Sequence, residues 1–108
     1  SGIFAWEYDI ENHCAYQLKG MKHMKGISNV VRNFPDCVEK LGIVYPDDLD
    51  GFMRMIARVE QGSAEEEGCF RIRLRDKNAE YDTLHVKYIA IPETDGKTRR
   101  AVGVVMYS

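Results

Sequence analysis

The chain has 108 residues, the length of one domain with a single hydrophobic core. Its formal net charge is −2, from 15 basic and 17 acidic side chains, so the composition gives no reason to expect binding to nucleic acid. It contains no apolar run near the roughly 20 residues that cross a bilayer, and its charged start lacks the features of a signal peptide. We therefore expect a cytoplasmic location and no membrane partner for this domain, with any membrane anchor of the parent protein lying elsewhere.

The N-terminal segment predicts a β-hairpin. Residues 3–10 alternate large apolar side chains with small or charged ones, a period of two that is typical of a strand. Residues 14–19 are typical of a second strand that ends at Gly20, and the polar residues 11–13 form the turn between the two. The aromatic side chains of the first strand share one face: Phe4, Trp6 and Tyr8.

Two short helices are predicted next. Residues 28–33 can start a helix with Ser28 as the N-cap, because its hydroxyl can accept a hydrogen bond from a free backbone N–H. Residues 34–42 predict a second short helix, with Pro35 in the first position and Gly42 as the stop signal.

A longer helix is predicted over residues 47–61. Its apolar residues recur at helical spacing and form one stripe, and Gly62 ends the helix. The stripe consists of Leu49, Phe52, Met53, Ile56 and Val59.

The C-terminal half predicts three strands. Residues 69–76 and 83–91 alternate apolar and polar side chains, with a turn at residues 76–80 in which Asn78 suits a left-handed conformation. Residues 99–108 predict the last strand, which is fairly apolar on both faces. Strands that are segregated from helices indicate an antiparallel α+β domain with the helices packed on one sheet face.

Three carboxylates cluster at the start of the long helix, in the segment YPDDLDGF. They admit three interpretations: a metal site, an acid/base pair or a helix start. Pro46 fits the first helical turn, where its missing N–H is no loss, and Asp47 and Asp48 then face free N–H groups at the positive end of the helix dipole. Side chains at neighbouring helix positions diverge, so these two do not converge on a metal. We therefore expect Pro46, Asp47 and Asp48 to be structural residues that cap the helix.

The order of elements, with Tyr45-Pro46-Asp47-Asp48 opening the long helix, resembles a PAS domain of the Pro-Asp-Asp subclass over essentially the whole chain. Residues 34–42 look like the corresponding part of PAS segments that precede bacterial GGDEF, or diguanylate cyclase, domains. The resemblance implies a five-stranded antiparallel sheet in the order 2-1-5-4-3, with short helices and one long helix on one face. The chain departs from the family at Thr83, where a Trp is usual, and on the third strand, which lacks the usual Glu-x-Arg pair.

The resemblance implies a sensory or regulatory module in bacterial signal transduction rather than an enzyme. Residues 1–108 would be one PAS domain excised from a longer protein. It would control a covalently attached output domain, such as a diguanylate cyclase, through a small ligand or a dimer rearrangement. The alternative is a structural homodimerisation module with a filled core and no ligand. No nucleophile–base pair, phosphate loop or metal motif favours catalysis by the domain itself.

Neither a metal nor an organic cofactor is expected. The histidines do not have the spacing of zinc ligands, and the long helix lacks the His that haem-binding PAS domains typically use. The setting of Cys37 does not match the reactive Cys of the light-sensing relatives that bind flavin, and the cysteines are too far apart for a disulfide framework. The residues concerned are His13, His23, His85, Cys14, Cys37 and Cys69.

The apolar interior is the candidate ligand site. A cavity between the sheet and the helices, as in many PAS domains, would be lined by Met53, Ile56, Phe70, Ile72, Val86, Tyr88 and Val104. The alternative is close packing without a void, which is the ordinary state of protein interiors.

A row of arginines is the candidate anion site. Arg71, Arg73 and Arg75 alternate along one strand, and guanidinium groups suit carboxylates and phosphates. The alternatives are a solvated sheet face and ion pairs with the acids of residues 65–67.

The aromatic first strand and the two-faced last strand indicate that the outer face of the sheet is covered. PAS domains often cover this face with a flanking helix or a second copy. We expect a homodimer through it, with Phe4, Trp6 and Tyr8 as contact residues.

Overall fold

Residues 3–18, 29–73 and 80–107 are described by the computed structural model of the chain. In chain order they form β1 (Ile3–Asp9), β2 (Cys14–Gln17), β3 (Val30–Arg32), α1 (Cys37–Leu41), α2 (Pro46–Glu60), β4 (Glu65–Ile72), β5 (Asp82–Ala90) and β6 (Arg100–Tyr107). The predicted α+β class is confirmed, but the described residues contain six strands rather than five, and two helices. Several residues named in the predictions lie outside the described ranges: Ser28, His23, Arg75 and Asn78.

The strands form one antiparallel sheet in the order β3-β2-β1-β6-β5-β4. β1 and β6 are neighbours at its centre, where Trp6 lies opposite Gly103 and Tyr8 lies opposite Ala101. When β3 is left out, this order is the predicted five-stranded arrangement 2-1-5-4-3.

The additional strand takes the place of the first predicted short helix. Val30 and Val31 of β3 pair with Tyr16 and Ala15 of β2. The helix prediction over residues 28–33 is wrong because consecutive β-branched residues suit a strand, and pairing with β2 outweighs a weak local helix signal.

The two helices begin and end close to the predicted positions. α1 starts after Asp36 rather than at Pro35, and Gly42 ends it with a φ of +66°, the left-handed conformation of a glycine C-cap. α2 begins with Pro46 in its first turn, where the missing N–H costs no intrahelical bond.

The buried stripe of α2 differs from the predicted stripe at three positions. Its buried side chains occupy positions i, i+3, i+4 and i+7 of one helix face, which are Phe52, Met55, Ile56 and Val59. Met55 is fully buried, whereas the predicted Leu49 and Met53 are only partly buried at the margin of the core.

Both helices pack on the same face of the sheet, and the aromatic residues of β1 lie between sheet and helices. Phe4, Trp6 and Tyr8 belong to the buried core cluster, together with Phe52 and Ile56 of α2. The prediction that Phe4, Trp6 and Tyr8 form an outer contact face is therefore wrong. Strand side chains alternate between faces, and the helices cover the aromatic face of β1.

A buried hydrogen bond ties the two strands that flank β6. Trp6 Nε1 donates to the Tyr88 hydroxyl at 3.1 Å, and both residues lie opposite Gly103. A Cβ atom at position 103 would lie 2.5 Å from Trp6 Nε1 and 2.8 Å from Tyr88 Cε1, so only glycine fits there. Burial raises the pKa of the Tyr88 hydroxyl, which therefore stays protonated.

β4 begins at Glu65, four residues before the predicted start at Cys69. Glu65 forms an ion pair with Lys87, and the Glu67 carboxylate lies at hydrogen-bonding distance, 2.8 Å, from His85 Nε2. Cross-strand pairs of opposite charge allow an acidic segment to continue the sheet.

Candidate functional site

A small cavity lies between the sheet and the helices. The volume within which the centre of a water-sized molecule can lie is about 20 Å³. The side chains around it come from all six strands, both helices, the β3–α1 connection and the segment between the helices: Trp6, Ala15, Val31, Phe34, Val38, Ile43, Phe52, Ile72, Val86 and Val105. No lining side chain carries a charge or a hydrogen-bonding group other than the Trp6 indole, whose N–H is bonded to Tyr88. A water molecule there would lack partners, so the chemistry of the cavity suits a small apolar molecule.

Of the seven predicted lining residues, the structure places Ile72 and Val86 at the cavity. Ile56 and Tyr88 are buried elsewhere in the core, and Phe70 is partly buried with its ring 5.5 Å from that of Phe52.

The remaining two predicted lining residues lie away from the cavity. Met53 lines a separate cleft on the helical side. Val104 lies on the outer face of the sheet, because its neighbours Gly103 and Val105 are both buried and strand side chains alternate between faces. Its inclusion among the lining residues is therefore wrong, since an apolar strand on two faces does not reveal which face is inner.

Sequence patterns missed most of the lining because α1, β3 and the connection between them supply much of it. The apolar residues Phe34, Val38 and Ile43, around the short helix, were the available signal. Their spacing indicates burial, but periodicity does not show whether buried side chains leave a void.

Asp48 and Arg71 form a close ion pair at the edge of the sheet. The Asp48 carboxylate accepts hydrogen bonds from the backbone N–H of Arg71 at 2.8 Å and from its guanidinium Nε and Nη2 at 3.0 and 2.8 Å. The same guanidinium lies over the ring of Tyr45, 4.0 Å from its centroid. These bonds from Arg71 lower the pKa of the Asp48 carboxyl to about 2.

This geometry corrects the capping role that was predicted for Asp48. No side-chain cap hydrogen bond is present at the start of α2, where Tyr45 is the N-cap residue. Asp47 and Asp48 do lie in the first turn, where acidic charge suits the helix dipole. The carboxylate of Asp48 nevertheless bonds to β4 rather than to its own helix, because the chain brings Arg71 alongside that turn.

A second arginine is also held at this edge. Arg73 Nη2 donates to the carbonyl of Gly42 at 3.2 Å, and its guanidinium lies 4.6 Å from the ring centroid of Tyr81. The Tyr81 hydroxyl donates to the same carbonyl at 2.9 Å. The guanidinium groups of Arg71 and Arg73 therefore already bind partners within the chain. This disfavours the predicted anion site, which needs guanidinium groups that can bind an anion.

The outer face of the sheet carries an apolar strip. We define the outer strip as five half-buried or exposed residues on β1, β5 and β6: Ala5, Ile89, Val102, Val104 and Met106. Val104 lies opposite Ala5 on one side, and Val102 lies opposite Ile89 on the other. Ile89 is 45% exposed, unusual for a large apolar side chain. Charged residues border the strip, among them Glu7, Lys87 and Arg100.

In the described residues, no group of His, Cys, Asp and Glu side chains could hold a metal ion. His13 lies in the β1–β2 turn, whereas His85 lies on β5 and contacts Glu67. The two histidines therefore do not share a site. Of the cysteines, Cys14 is buried, Cys37 is partly buried and Cys69 is exposed, and all three are free thiols. None of the helices described for this chain is long and apolar enough to cross a bilayer.

Comparison with known proteins gives matches only among solved structures. No protein-family model matches the chain, and no curated protein matches it. The PAS domain of a protein from Colwellia psychrerythraea superposes with a TM-score of 0.63 at 13% identity, over 99% of this chain and 85% of that one. The N-terminal domain of a diguanylate cyclase with a PAS/PAC sensor, from Marinobacter aquaeolei, gives 0.65 at 12% identity, over 97% and 94%.

The chain has the fold of a PAS domain.

A further match is a sensory box histidine kinase/response regulator from Burkholderia thailandensis E264. It has a TM-score of 0.68 at 14% identity, over 96% of this chain and 75% of that chain. The cavity lies between the sheet and the helices, and the outer strip lies on the opposite face of the sheet. Thr83, at the position where the family usually has a Trp, is exposed on β5 opposite Arg71.

Proposed function

We propose that the chain is a sensory or regulatory PAS module of bacterial signal transduction that controls an attached output domain. The observation that carries the proposal is the fold, which matches domains of a sensor kinase and of a diguanylate cyclase over nearly the whole chain. In the described residues no metal cluster favours catalysis, and the domain would act by changing conformation.

The output domain that we propose is a diguanylate cyclase of the GGDEF type. The segment of residues 34–42 and the Pro46-Asp47-Asp48 start of α2 support this choice, because both resemble PAS segments that precede such cyclases. The Marinobacter aquaeolei domain, which comes from a diguanylate cyclase, adds support at the level of the fold. A cytoplasmic location is part of the same proposal.

The signal would be a small apolar ligand that enters the central cavity. The lining joins both helices to the sheet, so a ligand that favours one packing of α1 and α2 shifts the population of the domain toward it. The ligand would be only a few atoms in size, because the present volume is about 20 Å³.

The small cavity also favours the alternative function, a structural homodimerisation module without a ligand. A void of this size is compatible with an ordinary core. In that case the outer strip would be the functional surface, and the interior would serve stability alone.

One experiment separates the two functions. The parent protein is compared with variants Ala15→Leu, which fills the cavity, and Val104→Arg, which places a charge on the outer strip. A ligand-sensing module predicts that Ala15→Leu abolishes the change in output activity on adding ligand while the protein stays folded. A structural module predicts that only Val104→Arg alters output activity.

The ligand itself is sought by thermal shift with small apolar molecules and dissolved gases, including xenon. A ligand at a hundredfold over its dissociation constant stabilises a folded domain by about 2.7 kcal/mol. Saturable stabilisation that disappears in Ala15→Leu supports the sensory function, whereas its absence throughout the set contradicts the cavity mechanism.

A further inference from the structure

A second concave site lies on the helical side of the domain, next to the central cavity, with which it shares Phe34. Three segments form it: the β1–β2 turn, the connection between β3 and α1, and the second half of α2. Its volume for the centre of a water-sized molecule is about 300 Å³, much larger than that of the central cavity. This is the size of a cleft that can bind a small organic molecule.

Two carboxylates give the cleft its charge. Glu60, near the end of α2, and Asp36, just before α1, are both part of its lining. Within the described ranges, neither of these two carboxylates forms an ion pair with a basic side chain. Other Glu and Asp residues in those ranges do form such pairs. The site therefore presents negative charge that the described part of the chain does not neutralise.

The charge on Glu60 is held in place by a residue of the core. The hydroxyl of Tyr8, which is fully buried, donates a hydrogen bond to Glu60 Oε2. Burial, followed by this bond and the charge of Glu60, raises the pKa of the Tyr8 hydroxyl, so Tyr8 remains a proton donor. A phenol that donates to a carboxylate fixes its position and leaves the negative charge in the cleft.

The other walls of the cleft are partly apolar and partly polar. The ring of Phe34 and the side chains of Met53 and Ala57 contribute carbon surface, and His13 and Asn33 stand at the side of the turn and the connection. A ligand that matches these walls carries N–H donors at one end for the carboxylates and a short hydrocarbon body for the apolar surface. Anions are disfavoured, because two carboxylates repel them.

We propose that this cleft binds a small organic ammonium cation, and that it is a second recognition site that shares one wall residue, Phe34, with the central cavity. The site joins β1, through Tyr8, to α2 and to the segment before α1. An occupied cleft would therefore hold those three parts of the domain in one arrangement. The proposal does not depend on the identity of the output domain or on a ligand in the core.

The test is a titration of the chain with n-propylammonium at neutral pH, followed by two-dimensional amide NMR. Its matched control is 1-propanol, which has the same carbon body without the charge. We expect saturable shifts with the ammonium ion for the amides of residues 13, 33, 34, 36 and 53–60, and no saturable shifts with the alcohol. Equal effects of the two compounds, or shifts centred elsewhere, would overturn the proposal.

Two charge variants sharpen the test. Glu60→Gln keeps an oxygen that can accept the Tyr8 hydrogen bond but removes the charge, and we expect affinity to fall by about tenfold or more. Asp36→Asn tests the second carboxylate and removes no helix-cap bond, since the Asp36 side chain makes none. Glu39→Gln, an exposed site on α1 outside the cleft, changes net charge equally and should leave affinity unchanged. If Glu39→Gln weakened binding as much as the two cleft variants, the effect would be general electrostatics and the proposal would fail.

Discussion

At the scale of single residues, the contact between Asp48 and Arg71 gives the Pro-Asp-Asp motif a structural role other than helix capping. The Pro-Asp-Asp segment suggested helix capping, but the carboxylate of Asp48 receives three hydrogen bonds from Arg71, 23 positions away in sequence. The Asp48 side chain is 22% exposed and that of Arg71 is 44% exposed, so solvent screens the pair. The contact joins the first turn of α2 to the end of β4.

Asp48→Asn should lower the free energy of unfolding at pH 7 by about 1 kcal/mol, because it weakens hydrogen bonds to a charged group that is partly screened. The folded-state pKa of Asp48 is about 2, below its ordinary value of 3.8. The stabilisation is therefore fully present above about pH 4 and is lost as the pH falls toward 2. Urea unfolding at several pH values checks this, and the two proteins should converge in stability as the pH approaches 2.

Asp47→Asn is the matched control, since Asp47 is an exposed acid in the same helical turn. If Asp47→Asn cost as much stability as Asp48→Asn, the helix dipole would explain both effects and the contact with Arg71 would explain neither.

Gly103→Ala should destabilise the domain by about 1–3 kcal/mol, because the new methyl overlaps Trp6 and Tyr88. Trp6 is the only tryptophan, so its fluorescence reports the disturbance directly. Gly51→Ala in α2 is the control. Its Cβ would meet the Phe70 ring at an ordinary 3.6 Å and would improve helix propensity, so stability should be unchanged or higher. A Gly103→Ala protein as stable as the wild type would show that the core can adjust here.

At the scale of elements, long periodic segments were predicted well, whereas among the short elements β2 and α1 were predicted and β3 was not. The alternation of β1, β5 and β6 and the helical stripe of α2 reflect burial along many residues, so their patterns survive in the sequence. β3 has three residues and is held by pairing with β2, a contact that no local pattern contains. The same limit applies to the candidate site. Ile72 and Val86 were predicted, but the lining from Phe34 and Val38 depends on how α1 is placed over the sheet.

Two methionine-to-alanine substitutions in α2 test which face of the helix is buried. Met55 is fully buried, whereas Met53, which the sequence favoured, is partly exposed. Met55→Ala should cost about 2–5 kcal/mol of stability through lost burial and the cavity that it leaves. Met53→Ala should cost about 1 kcal/mol, close to the average for single substitutions. Thermal or urea unfolding compares them, and a larger loss for Met53→Ala would contradict the placement of the helix face.

At the scale of the whole molecule, the two faces of the sheet have separate roles. The inner face and the helices enclose the central cavity, while the outer strip has no covering element in the described residues. The sequence indicated correctly that β6 is apolar on both faces. It assigned the wrong residues of β1 to the outer face, because alternation separates two sets of side chains without saying which set is inside.

The proposed homodimer is therefore expected to form through the outer strip and not through the aromatic residues of β1. Sedimentation of the chain at low and high concentration should show a shift from the 12.4 kDa monomer to a dimer. Val104→Arg should abolish the shift, since a charge would be buried in the interface. Thr94→Arg, in the exposed β5–β6 connection, is the control and should dimerise normally. A chain that stays monomeric at every concentration contradicts the dimer.

The antiparallel pairing of β1 with β6 has a mechanical consequence. Ile3 lies opposite Met106, so the first and last described residues leave the sheet at the same end of neighbouring strands. A force applied between those two points would load the hydrogen bonds of the pair one after another, because the bonds run perpendicular to the strands. The hydrogen bonds between β1 and β6 would therefore break one after another at low force. A pair of strands loaded in shear, by contrast, resists with many bonds at once.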